Sequence, residues 1–381
     1  MMNRRFALAA LAAFTALAAI AAKPAVAQTY RVTDLGSLSG ASTSGANAVN
    51  DKGSVIGFST FKIKSGTMSR YWLWTPDVEN GTTGRMAEFS LLAGFDRATA
   101  YGINNAGLVV GRNWVNASSL TSQVAVCYKT PDAPVKINDL ERDTNADPSL
   151  ADWLFTNATA VSDPDATTGA FYVAGVGRYK GGAEVPIGWR MAPGTTAGAY
   201  KIFSVVSMNA NSMVYALNVY GQGGSAFNSQ ATLLNGNTGQ GTTLGCLPGG
   251  TRSWAYGIND FGSVVGESYT TPTGVNRGFF WTPTIPNGTV GTMTALGTLG
   301  GTLSRANAIN NWSQIVGYSY LKGDRVHHAC RFLSNGAAQD LNSLKAAGAT
   351  GLELLWANAI NRGGNIVGEF STGAYLLTPL P

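Results

Sequence analysis

The sequence predicts an all-β fold, a β-propeller of four-stranded blades, seven in number, closed by its own N-terminal strand. Three observations carry that expectation. The first is composition. Forty-eight glycines, 10% aromatic and only 12% charged residues in 381 suit short strands and tight turns. They exclude a disordered polymer and a long-helix protein. The second is an internal repeat with a period of about fifty residues. The third is a strand missing at one end of the chain and left over at the other.

The repeat reads small-x-Ala-Ile-Asn, a short turn with glycine, then an apolar pair and a glycine. Five copies are plain. Ala46-Asn47-Ala48-Val49-Asn50 precedes Val55-Ile56-Gly57, and Ala100-Tyr101-Gly102-Ile103-Asn104 precedes Val109-Val110-Gly111. Ala255-Tyr256-Gly257-Ile258-Asn259, Ala306-Asn307-Ala308-Ile309-Asn310 and Ala357-Asn358-Ala359-Ile360-Asn361 lead to Val264-Val265-Gly266, Ile315-Val316-Gly317 and Ile366-Val367-Gly368. Two degenerate copies fill the gap: Ala158–Ser162 before Val173-Ala174-Gly175, and Val206–Asn209 before Met213-Val214-Tyr215. The anchors are then 50, 104, 162, 209, 259, 310 and 361.

Each unit accommodates four strands. Strand A is the Ala-x-Ala-Ile-Asn segment, whose small residues let strands crowd together. Asn and Gly close the A–B turn, Gly by supplying positive φ. Strand B is Gly-x-Val-Val-Gly-x-Ser. Strand C is aromatic, as in Tyr71–Pro76, Gly278–Pro283 and Ala374–Pro379, and ends in Thr-Pro because proline cannot donate to a ladder. Strand D resembles Thr294–Leu299 or Gln339–Leu341. The last unit stops at its C strand, while Tyr30–Gly36 is an orphan D-like strand. Pairing the two would close a ring and protect sheet edges. The alternative is a right-handed β-solenoid, whose coils are normally shorter than these units.

Residues 1–27 read as a cleaved signal peptide. Arg4 and Arg5 precede the apolar stretch Phe6–Ala22, and Ala25-Val26-Ala27 places cleavage before Gln28. The stretch is short and weakly apolar for a stable membrane span. No cysteine follows the cleavage site, which argues against a lipoprotein. The arginine pair leaves general and twin-arginine export both open. One domain, 28–381, remains, secreted or periplasmic, with no stable membrane insertion after cleavage. It has 23 basic and 21 acidic residues, a net of +2, so the formal +5 of the whole chain does not indicate a nucleic-acid partner. Cys127, Cys246 and Cys330 are far apart, an odd number without metal-ligand spacing, and read as buried apolar side chains.

Asp34-Leu35-Gly36-Ser37-Leu38-Ser39-Gly40 and Ala295–Gly301, each followed by the repeat, resemble the HAF-repeat family of extracellular bacterial proteins. The His-Ala-Phe segment survives here as His328-Ala329-Cys330, with the phenylalanine displaced to Phe332. The resemblance spans nearly the whole mature chain. It implies bacterial export and a repeat β-fold, and it transfers no catalytic residue.

Catalytic constellations are scarce. The two histidines, His327 and His328, are neighbours, so a strand would point them to opposite faces. No Gly-x-Ser-x-Gly elbow, Walker motif or dinucleotide fingerprint is present. Asp163–Gly169 resembles part of a calcium loop but lacks the closing acid, and reads better as an elongated turn. No metal and no cofactor are expected.

The sharper signal lies between strands B and C. Segments 58–70, 112–123, 177–185, 217–229, 267–277, 318–328 and 369–373 hold nine basic and four acidic residues, leaving the remainder at −3. Long loops on a rigid scaffold are the default place for a site. Arg70, Arg112, Lys180, Arg277 and Arg325, with His328, are therefore the candidate ligand-binding residues. The resulting expectation is a monomeric, non-enzymatic module binding an anionic glycan, surface polymer or protein. The alternative is an exported propeller enzyme, a polysaccharide lyase or hydrolase, using residues that converge at the ring mouth.

Overall fold

The glycine after each apolar pair lets two strands meet at the centre of every blade. A Cβ on Gly266 would lie 1.8 Å from the Trp254 carbonyl oxygen, and one on Gly317 1.9 Å from that of Arg305. Opposite this glycine, strand A carries one extra residue. Its pairing skips Asn47, Tyr101, Thr159, Tyr256, Asn307 and Asn358, one in each of six blades. Such a bulge turns the skipped side chain out of the ladder. The flanking alanines Ala46, Ala306 and Ala357 are wholly buried.

The computed structural model describes residues 28–64, 66–115, 123–194, 199–208, 213–271, 274–346 and 351–381. Seven antiparallel sheets form a ring, each touching the next and the seventh touching the first. The protein is an all-β seven-bladed propeller, not a solenoid. Blade 1 comprises Thr43–Val49, Val55–Ile63, Gly66–Pro76 and Gly84–Glu88. Blade 2 comprises Arg97–Ile103, Val109–Trp114, Gln123–Tyr128 and Pro134–Lys136. Blade 3 comprises Trp153–Val161, Phe171–Tyr179, Glu184–Pro193 and Tyr200–Ser207, with Glu141–Arg142 added in parallel at its outer edge. Blade 4 comprises Ala216–Leu217, Gln222–Phe227, Gln230–Asn235 and Gly241–Gly245. Blade 5 comprises Ser253–Ile258, Val264–Tyr269, Asn276–Pro283 and Gly291–Ala295. Blade 6 comprises Gly300–Ile309, Ile315–Leu321, His327–Phe332 and Ala338–Asp340. Blade 7 comprises Leu354–Ile360, Ile366–Phe370, Ala374–Pro379 and, as strand D, Tyr30–Gly36.

Two sequence expectations need correction. The fourth anchor is Asn218, 41 residues before Asn259. Asn209 lies outside the described residues, as does the targeting segment 1–27. Strand A of blade 4 has shrunk to two residues, which disguised the repeat. The B–C connections are also shorter than the assigned segments. In blade 1 most of 58–70 is strand, and in blade 4 the segment 217–229 contains the A–B turn and all of strand B. Strands here run past the sheet centre as hairpins, carrying polar residues that read as loop. The A–B glycines behave as expected, with φ of 83° at Gly53, 82° at Gly107, 77° at Gly262 and 82° at Gly364. The 163–169 segment is indeed an elongated turn, in which Asp165 accepts from the Thr167 and Thr168 N–H groups at 3.1 and 2.8 Å.

Blades are joined by apolar packing and by buried hydroxyls. Trp72 and Trp74 of blade 1 pack with Val367 and Leu376 of blade 7. Ser44 donates to the Gly36 carbonyl at 2.7 Å and accepts from the Ala374 N–H at 3.1 Å. Ser253 does the same between blades 4 and 5, donating to Gly245 at 2.6 Å and accepting from Ala231 at 2.7 Å.

The N-terminal strand pairs from Tyr30 opposite Pro379 to Gly36 opposite Ala374. Tyr30 is 2% exposed and packs against Leu341, Leu344 and Leu354. Truncating it to alanine should cost about 3 kcal/mol, the range for an emptied aromatic site. Deleting Tyr30–Gly36 should lower the denaturation midpoint further, by exposing the edge of Ala374–Pro379. Equilibrium denaturation checks both; unchanged midpoints would show that the ring does not depend on this closure.

Candidate functional site

The channel through the ring is built by the repeat itself. At five anchors, Asn50, Asn104, Asn218, Asn259 and Asn310, Oδ1 accepts the N–H groups two and four residues on, holding the A–B turn, and Asn361 Oδ1 accepts that of Asn365. For Asn259 these are Phe261 at 3.1 Å and Ser263 at 3.0 Å. The Nδ2 group then reaches the next blade. Asn50 donates to the carbonyl of Asn104, Asn104 to Ser162, Asn218 to Asn259, Asn259 to Asn310, Asn310 to Asn361, and Asn361 to Asn50, at 2.9–3.2 Å. Six of seven steps around the ring are thus closed by one kind of bond. The step from blade 3 to blade 4 differs because its anchor, Ser162, has no amide. There Thr159 Oγ1 donates to the Val214 carbonyl at 2.8 Å.

The residue before each anchor lines the channel with an aliphatic collar: Val49, Ile103, Val161, Leu217, Ile258, Ile309 and Ile360. In six blades the residue after the anchor, Asp51, Asn105, Asp163, Asp260, Asn311 or Arg362, forms the mouth on the A–B side. Asn105 donates through Nδ2 to both Asp51 and Asp163 at 2.7 Å, and Asp51 Oδ1 accepts the Arg362 N–H at 2.8 Å. Burial raises Asp163 to about 6; the Asn105 N–H opposes the rise, while Asp51 and Asp260 add to it.

The opposite mouth is different. A cavity of about 470 Å³ opens there, lined by the bulge residues Asn47, Tyr101, Thr159, Tyr256, Asn307 and Asn358, with Tyr215, Tyr318, Trp356, Arg305 and Glu369. Tyr215 and Tyr256 meet edge to face at 5.1 Å. The Arg305 guanidinium lies 3.7 Å above the Tyr256 ring, and its charge bears on Tyr318, opposing the rise that burial gives that hydroxyl's pKa. The Tyr256 hydroxyl donates to Glu267 at 2.7 Å, and Asn276 donates to the other oxygen of that carboxylate. Glu369 lies over Gly45, where a Cβ would come 2.7 Å from its Cδ. Burial raises the Glu369 pKa, and the bond from Asn358 at 3.0 Å offsets only part of that. His327 packs 4.5 Å from Trp356 and against Tyr318 and Tyr320; burial, and then His328, lower its pKa.

The six sequence candidates sit toward the B–C ends of their blades, and none lines this cavity. Arg70 pairs with Glu88 at 3.6 Å and stacks over Phe61. Arg112 donates to Gln123 at 2.7 Å and lies over Trp114. Lys180, in a left-handed turn position, pairs with Asp152 at 3.5 Å, which holds its pKa above the usual lysine value. Arg277 Nε donates to the Thr302 carbonyl at 2.9 Å, and Arg325 is exposed in the turn before His327. His328 is held between Asp340 at 2.7 Å and Glu353 at 2.9 Å. Burial lowers its pKa, but these two carboxylates outweigh that and the net shift is upward. Most of these charges are thus engaged within or beside their own blades. The residues that do converge were in the repeat all along, at its variable x position. An x that changes from Asn to Tyr between copies, inside an otherwise constrained strand, was the available signal.

No family model matches the sequence, and no curated protein matches it. Among solved structures, the chain is similar to the α-L-arabinofuranosidase PaAbf62A from Podospora anserina, solved in complex with cellotriose. The two share 9% identity over 93% of this chain and 98% of that one, with a TM-score of 0.30.

The Asp163 carboxyl gives a pH test. Its folded value of about 6 lies above that of an unfolded aspartate, so folding favours the protonated form. Its contribution to stability therefore falls as pH rises from about 4 to about 6. The stability of Asp163→Asn relative to the wild type should rise by about 2 kcal/mol across that window, measured by denaturant titration. A constant difference would show that Asp163 is not held in its neutral form.

Proposed function

We propose that the chain is an exported, non-enzymatic binding module for a glycan or glycan-bearing surface polymer, and that the ligand enters the cavity on the B–C side. One observation carries the reading: tyrosine, tryptophan and asparagine side chains converge on a single concave mouth. Aromatic faces suit the C–H faces of a sugar, and amides suit its hydroxyls, while the rigid ring keeps the cavity formed before the ligand arrives. The resemblance to HAF repeats and the N-terminal apolar segment support export.

Binding is favoured over hydrolysis by the arrangement of acids. Glycoside hydrolysis generally needs two carboxyl groups flanking the scissile bond. Among the described residues, Glu369 is the one carboxylate lining the cavity, and Glu267 is engaged behind Tyr256. The test is titration of a mixed oligosaccharide panel, read by tryptophan fluorescence and calorimetry. At least one saccharide should bind, with Trp356→Ala weakening it about tenfold or more, in keeping with loss of a buried aromatic anchor. Lys322→Gln, in an exposed B–C turn, should leave binding unchanged. Release of reducing ends would support the hydrolase reading instead, and no binding across the panel would end the glycan reading.

A further inference from the structure

We infer that the sugar taken by this mouth is a carboxylated one, its carboxylate seated on Arg305; the inference rests on the glycan reading and names its ligand class. Among the described residues, Arg305 is the single cation lining the cavity. It stands on strand A of blade 6, two residues before the bulged Asn307, so the same distortion that opens the mouth brings it to the wall. Tyr256 lies beneath the guanidinium at 3.7 Å, a cation–π contact that holds it at the cavity wall.

What it lacks is an anion. Among the described residues no carboxylate forms an ion pair with Arg305, and its Nε is buried without a hydrogen-bond partner. The other arginines near this end have partners in their own surroundings: Arg70 has Glu88, Arg112 has Gln123 although its Nε is likewise buried without a partner, and Arg277 has the Thr302 carbonyl. A half-buried guanidinium with spare donors is poorly hydrated and unpaired, which is costly unless a ligand supplies the charge. A planar carboxylate matches the guanidinium fork with two parallel N–H···O bonds. The acids nearby do not take that place. Glu267 is held by Tyr256 and Asn276, and Glu369 by Asn358. The basic groups first picked out by their positions between strands B and C therefore give way to one residue in the channel wall.

The test compares acidic sugars with their neutral counterparts: oligogalacturonide against oligogalactose, and sialyllactose against lactose, by calorimetry at low salt. At least one acidic member should bind about tenfold or more tighter than its partner. Arg305→Gln should abolish that preference while keeping the weaker binding of the neutral sugar, and Arg305→Lys should restore part of it. The paired rim variant Arg70→Gln with Lys180→Gln should change neither. Equal binding of acidic and neutral members would overturn the inference and leave the glycan site standing. Binding of no member would overturn both. A parallel loss of acidic and neutral binding in Arg305→Gln, with an unchanged melting curve, would show that Arg305 only props Tyr256.

Discussion

A ring of blades must fix its own curvature, and here one hydrogen bond, repeated, does so. The anchor asparagine uses its oxygen to hold its own A–B turn and its nitrogen to hold the next blade. Both halves of the amide are buried, so each is costly to leave unmade. Because in six of seven steps the bond runs from one anchor to the carbonyl of the following anchor, it sets the spacing between strands A around most of the channel. The chain closes on itself when Asn361 donates to Asn50, across 311 residues of sequence. That step joins the last blade to the first at the channel, while Tyr30–Gly36 completes the last sheet at its outer edge.

The site follows from the same unit. A bulge in strand A needs space on strand B, and the repeat's second glycine provides it. The bulged residue is released from the ladder and faces the channel, so it can vary without disturbing the blade. Evolution of such a ring can then change the mouth one blade at a time. In this chain the choices are asparagine, tyrosine and threonine, giving a polar and aromatic wall above an aliphatic collar.

Much of the fold was legible because its determinants are local: Asn and Gly for a turn, Thr-Pro for a strand end, an unpaired strand at each terminus. Asn50 could be read as a turn residue from its neighbours alone. Its second bond could not, because the acceptor, Asn104, lies in another copy. Blade 4 was misaligned since its strand A keeps only Ala216 and Leu217 before Asn218, too little to outweigh the spacing of the other copies. The site was harder. Charge was the visible signal, yet Arg70 and Lys180 meet acids that come from other parts of the chain, Glu88 and Asp152, and this pairing is invisible in a count of loop charges. Arg305 was overlooked because it sits inside a strand, where a lone arginine reads as an outward-facing polar residue.

The central claim is that the amide ring, more than the turns it also stabilises, holds the channel to its shape. Asn259→Asp separates the two roles. The substituted carboxylate keeps an acceptor for Phe261 and Ser263 but sets an oxygen against the Asn310 carbonyl where a donor stood. Equilibrium denaturation at pH 8 should show a loss of about 2 kcal/mol or more, while Asn335→Asp in an exposed turn stays near the wild type. Equal stability of Asn259→Asp and wild type would contradict the account.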